Sequence, residues 1–224
     1  MTHTPRHTGT HDSRALAARL LREAGTTYAD EAGISMANKP MPLFELVTLA
    51  LLLSTRISAT IAVRAATELI HTGLRTAASV HAANRGTVIE ALGRAHYRRY
   101  DESTATRLHA AAERTLEVYG GDLRRLESRC DNDTGVAAAL LEEFDGIGPV
   151  GAAIFMREVQ DVWPWARPYL DDRARTAARA LGLPSDPTAL AGLTDTRAFA
   201  PMAAALVRVS LDDNLRGRLL DWVD

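Results

Sequence analysis

A single cysteine, Cys130, stands among the 224 residues. No intramolecular disulfide can form, and any all-cysteine metal or iron–sulfur site is excluded. Lysine is equally scarce: Lys39 is the only one, so almost all positive charge is arginine. An amine nucleophile would have to be Lys39 or the N-terminus. No apolar run reaches the roughly 18 residues that a membrane-spanning helix needs. The longest candidate, 46–53, contains Thr48 and ends at Ser54-Thr55-Arg56. The first residues are polar and carry no apolar signal segment, so a cytoplasmic location is expected. Period-2 alternation is missing, which argues against a sheet. Excess positive charge is missing too. The formal net charge is -2, whereas a non-specific nucleic-acid coat would be strongly basic. His71, His81 and His109 share no ligand-like spacing with carboxylates, so no side-chain metal site is read.

What remains is ordinary globular material, 46 % hydrophobic and 24 % charged, in a chain long enough for one large domain or two small ones. Residues 1–11 are polar and expected to fray. Apolar periodicity predicts helices over 13–23, 43–54, 58–70, 76–81, 87–92, 102–119, 123–126, 149–160, 171–181, 187–191 and 199–211, the last closing the fold. Another helix, capped by Asp133 or Thr134, leads into 136–145. Residues 25–41 read as a connection with one short helical turn, and 162–169 as an irregular crossing that holds Trp163 and Trp165. The expected fold class is all-α. Charge is unevenly spread. Arg94, His96, Arg98 and Arg99 cluster before Asp101, and Arg167, Arg173, Arg175 and Arg179 cluster late in the chain. Such clusters let a globally neutral protein present a basic face.

The most informative stretch is Phe144-Asp-Gly-Ile-Gly-Pro-Val-Gly-Ala-Ala. An acidic, Leu-rich helix precedes it and Pro149 opens another, giving helix, tight Gly-x-Gly turn, helix. Glycine lets backbone approach a ligand closely, and the amides entering the second helix point outward. Proline loses nothing at a first helical position. The natural ligand of such a turn is a nucleic-acid phosphate. The alternative is an ordinary helix–helix turn that binds nothing.

Several segments flank this turn in a fixed order. Pro42-Leu-Phe-Glu-Leu and Leu51-Leu-Leu-Ser-Thr-Arg-Ile-Ser come first, then Leu92-Gly93 and 108–119. The hairpin at 140–154 follows, then Leu170-Asp171-Asp172 and Ala177-Ala-Arg-Ala-Leu-Gly-Leu. In that order, from about Pro42 to about Leu211, the chain resembles the helix-hairpin-helix DNA glycosylases of the endonuclease III and adenine-glycosylase type. The resemblance implies two helical domains with a DNA-binding cleft between them. One would be a six-helix barrel over 37–162, with the hairpin at about 136–160. The other would be discontinuous, 1–36 plus 163–224, and carry a candidate catalytic aspartate. It further implies a monomer, associated with the nucleoid, that binds double-stranded DNA, flips a damaged or mismatched base and excises it in base excision repair. A monovalent cation between the hairpin carbonyls and a phosphate is the one cofactor implied.

The resemblance places Asp171 at the catalytic position, slightly further from Gly148 than in endonuclease III. A carboxylate there can stabilise the oxocarbenium character of the sugar and activate water. The same residue reads equally as the N-cap of its helix. Asp172 takes the role if the register slips by one. Gly146, Ile147, Gly148, Val150 and Gly151 would form the DNA-binding hairpin. Bifunctional members carry a lysine where Val150 stands, so the chain looks like a monofunctional glycosylase that uses water. The alternatives are a DNA-binding protein without catalysis and a glycosylase with weak lyase activity through another amine. The four cluster cysteines of endonuclease III are absent here, which leaves the C-terminal end to packing, with Leu219 and Trp222 as candidates. Arg56 stands where members commonly place a gap-filling glutamine; it would enter the base gap, or lie solvated on its loop. Arg94, Tyr97, Arg98, Trp163, Trp165 and Arg173 are candidate DNA or base contacts. For these, core packing or a solvated helix end is the competing reading.

Overall fold

The computed structural model describes residues 10–195 and 198–221. Of residues 1–11, expected to fray, 1–9 lie outside the described residues, as does Trp222, expected to pack, while Thr10 and His11 are already helical. In chain order the helices are α1 (Thr10–Ala24), α2 (Tyr28–Glu31), α3 (Pro40–Leu53), α4 (Ala59–His71), α5 (Ala77–Ala82), α6 (Arg85–Arg94), α7 (Asp101–Tyr119), α8 (Arg124–Glu127), α9 (Thr134–Glu142), α10 (Pro149–Val159), α11 (Asp172–Ala180), α12 (Pro187–Ala191), α13 (Phe199–Leu211) and α14 (Asp213–Leu220). A 3-10 turn at Pro164–Ala166 crosses between α10 and α11. The fold is all-α, and no strand occurs among the described residues.

The chain divides into two compact units, Tyr28–Ala166 and the pair Met1–Thr27 with Arg167–Asp224. The first is organised by α3. Every residue from Pro42 to Leu52 is buried, as a helix that is apolar all round must be. It packs against α4, α7 and α10. The one acid on this helix, Glu45, is 3 % exposed and accepts from Arg75 Nε at 2.5 Å. Helix α7 presents Thr104, Ala105, Leu108, Ala111, Ala112 and Thr115 to the core, a spacing of three and four residues that makes one face. It ends at Gly120, where φ is 59°.

In the second unit α13 packs against α1, α11 and α14. Leu16 and Leu20, Ala174 and Ala178, Phe199, Met202 and Leu206, and Leu215 and Leu219 meet in one core. Leu219 is the expected packing residue at this end.

The boundaries differ from the expected 36/37 and 162/163, and buried contacts show why. Glu158 on α10 is 2 % exposed and accepts the amides of Tyr28 at 3.4 Å and Ala29 at 3.0 Å. A carboxylate on the first amides of a helix is a favourable arrangement, and it binds α2 into the first unit. At the other end Trp163 is fully buried. It packs on Phe155 with ring centroids 5.6 Å apart, and its indole N–H donates to Asn38 Oδ1 at 3.1 Å. The chain also does not close at Leu211. Asp212 caps α14 by accepting the Leu215 amide at 3.0 Å.

Candidate nucleic-acid interface

The hairpin is built from both sides. Asp133, rather than Thr134, caps α9 by accepting the amides of Gly135 at 2.7 Å and Val136 at 3.0 Å. Past α9, Phe144 is buried and stacks on Tyr119, with centroids 6.0 Å apart and planes within 7°. Gly146 has φ +88°, a conformation that disfavours any other residue. Ile147 then points inward at 3 % exposure, and its amide donates to Phe144 O at 2.9 Å. Its side chain therefore anchors the turn, and only its backbone could serve a ligand.

Gly148 sits at the N-cap of α10 with φ -98° and ψ -168°, and no side chain caps this end. Any residue could adopt that backbone, yet a Cβ there would meet nothing within 4 Å. The space in front of the turn is open. Pro149 occupies N1, so the amides of Val150 and Gly151 are the first of α10, and neither has an acceptor within the helix. Val150 is 64 % exposed. Gly151 has a different reason to be glycine: a Cβ would collide with Ser54 Oγ and stand 3.0 Å from Ile147 Cγ2. Helix α10 thus rests directly on the end of α3, where Ser54 Oγ donates to Ala50 O at 2.6 Å.

Ser54 begins the Arg56 loop. The Ile57 amide donates to Thr55 O at 2.9 Å, which folds a three-residue turn with Arg56 exposed at its middle. Thr55 Oγ1 lies 2.7 Å from Tyr97 Oη, and Thr104 Oγ1 donates to the same hydroxyl at 3.3 Å. Tyr97 is fully buried; it is a bolt between loops and not a stacking platform for DNA. Its burial follows from the end of α6. His96 has φ 62°, and the amides of His96 and Tyr97 donate to Gly93 O and Leu92 O, both at 3.0 Å. This is a Schellman closure, whose following residue turns inward onto the helix. Arg98 and Arg99 come next and are exposed, with Arg99 lying 5.3 Å over the Tyr100 ring. The loops carrying Arg56, Arg98 and Arg99 are therefore tied, through Ser54 and Tyr97, to the start of α10.

Other expected contacts are placed differently. Arg94 is committed to α4, donating to Glu68 Oε2 at 2.8 Å and Thr72 Oγ1 at 2.6 Å. Trp163 is core, as its burial and its bond to Asn38 require, and cannot stack on a flipped base as placed. Trp165 is half-buried against it, with centroids 5.4 Å apart. Two residues escaped the sequence reading. Arg114 pairs with Glu143, and Arg107 Nε stands 3.9 Å from Asp145 Oδ1. Their signal was two arginines two helical turns apart on α7, matched to the acids before the glycine turn.

In the other unit Asp171 is half-buried and caps α11, accepting the Ala174 amide at 2.8 Å. The capping role is thus realised, and it leaves a catalytic role open. Asp172 and Arg173 are exposed in the first turn. Arg175 is held by Leu170 O at 3.1 Å and Ser185 O at 3.3 Å. Among the described residues no group of three His, Cys, Asp or Glu side chains converges as a metal site, and no helix is long and apolar enough to cross a membrane. Cys130 is buried, and burial pushes its thiol pKa up.

The chain matches no protein-family model and no curated protein. Its fold is similar to that of a solved structure of a trapped endonuclease III–DNA covalent intermediate, an estranged-adenine complex. The similarity spans 90 % of this chain and 86 % of the other, with a TM-score of 0.53 and 12 % sequence identity.

Proposed function

We propose that the protein is a monofunctional DNA N-glycosylase. The observation that carries this reading is the hairpin. Open space stands before Gly148, and the first amides of α10 are uncapped. The turn lies in a chain whose fold is like that of endonuclease III. Such amides suit a phosphate oxygen. Arg56, Arg98 and Arg99 add exposed positive charge on loops tied to the same helix start. The carbonyls of Phe144 and Gly148 each accept one amide, leaving a lone pair apiece that a monovalent cation could share with the phosphate. Asp171 is the acid for the chemistry. Its carboxylate would stabilise positive charge at C1′ and take a proton from the attacking water as the bond to the base breaks. Val150 supplies no amine, so hydrolysis without strand cleavage is the expected outcome.

A DNA-binding protein without catalysis is the second reading. It is favoured by one observation: the Asp171 carboxylate already serves as a helix cap. A base-release screen separates the two. Duplexes carrying uracil, an oxidised pyrimidine, 8-oxoguanine, an alkylated purine or an adenine mismatch are incubated with the protein, with and without borohydride. Release of one base with no trapped covalent complex supports the glycosylase. Binding without release of any base supports the second reading. A trapped complex overturns the monofunctional assignment.

A further inference from the structure

Glu142, Glu143 and Asp145 lead directly into the Gly-Ile-Gly turn. Carboxylates beside a phosphate grip oppose its purpose, since like charges a few ångströms apart repel even in water. Helix α7 answers two of them. Arg114 pairs with Glu143 and lies 5.4 Å over the Phe144 ring. Arg107 faces Asp145 with Nε 3.9 Å from Oδ1, in a pair whose side chains are 38 % and 67 % exposed. Arg107 also touches the turn itself. Its Cδ lies 2.6 Å from where a Cβ on Gly146 would stand. One side chain therefore meets both the carboxylate and the left-handed glycine.

We infer that Arg107 is a positioning residue of the hairpin. It neutralises Asp145, so that the amides of Val150 and Gly151 meet a phosphate without an opposing carboxylate. The inference rests on the DNA-binding reading of this hairpin. A carboxylate left unneutralised within a Debye length of a bound phosphate, at an effective dielectric near that of water, changes affinity by about twofold.

The test is the anisotropy of a labelled duplex at about 50 mM salt, where surface charges are weakly screened. It compares wild type, Arg107→Ala, Arg107→Lys, Asp145→Asn and the double variant Arg107→Ala/Asp145→Asn, each checked by thermal melting. Arg107→Ala should weaken binding by about twofold. Arg107→Lys should keep most of the affinity, and Asp145→Asn should bind at least as tightly as wild type. The double variant, whose pair is neutral again, should return to the wild-type affinity. A double variant as weak as Arg107→Ala overturns the inference, because the arginine then does not act through Asp145. So does an Arg107→Ala protein with wild-type affinity. If Arg107→Ala fails to fold, Asp145→Asn decides alone, and weaker binding by it overturns the inference. Wild-type protein that does not bind duplex overturns the DNA-binding reading as well, whereas binding that no variant alters overturns only the role of Arg107.

Discussion

Replacing Gly148 by serine separates a turn that binds phosphate from one that merely connects helices. The backbone at Gly148, φ -98° and ψ -168°, is the extended conformation that a serine cap prefers, and nothing lies within 4 Å of the added Cβ. The new hydroxyl can therefore accept the amide of Val150 or Gly151. Serine exceeds glycine at this position by about 0.3 kcal/mol, which should raise Tm by roughly 1 °C. The same hydroxyl occupies an amide that the proposal assigns to DNA. Losing one hydrogen bond to a charged oxygen costs about 1.5 kcal/mol, or roughly tenfold in Kd. No positive charge is removed, so the dependence of log K on log salt should keep its slope. The assays are a thermal melt and a duplex titration over a range of salt. A Gly148→Ser protein that gains stability and binds duplex as tightly as wild type refutes the assignment of these amides to a phosphate.

Three further expectations follow from single contacts. Asparagine caps a helix as well as aspartate does, so Asp171→Asn should melt within a few tenths of a kcal/mol of wild type while losing base release; Asp171→Ala should cost about 1 kcal/mol as well. Equal base release by wild type and Asp171→Asn would remove this residue from the chemistry. Gly146→Ala forces a side chain onto φ +88° and should cost about 1–2 kcal/mol in chemical denaturation; an unchanged midpoint contradicts the turn geometry. Tyr97→Phe removes the hydroxyl that meets Thr55 and Thr104. It should lower stability by about 1–2 kcal/mol with DNA affinity within about twofold of wild type, and a selective loss of affinity would restore Tyr97 as a DNA contact.

The hairpin was legible because glycine and proline carry positional meaning: one fits a left-handed turn, the other a first helical position. Asp171 was legible as a cap for a similar reason, since its acceptor reaches the amide three residues on. Tyr97 was not. It stands between His96 and Arg98, a polar setting that reads as surface, and its burial depends on a histidine taking the left-handed position that glycine normally marks. Helix α14 was missed because it buries only Leu215 and Leu219 among its residues, too few to make a period visible. Arg107 and Arg114 carry no local signal that singles them out among the polar residues of a long helix. Their partners lie 38 and 29 positions along the chain, and pairing at that separation is set by the packing of α7 beside the hairpin.

The buried carboxylate of Glu158 bears on how this protein could be shortened. A fragment begun at residue 37 discards the two amides that this side chain accepts and strips hydrogen bonds from a charge held at 2 % exposure. Losing these two bonds, with Arg157 Nε still 3.9 Å from the carboxylate, costs about 1–3 kcal/mol. Because Glu158 lies on the same helix whose opening amides form the proposed grip, the damage would enter at one end of α10 and be read as weakened binding at the other. Any shortened form made to study the hairpin alone must begin no later than Tyr28.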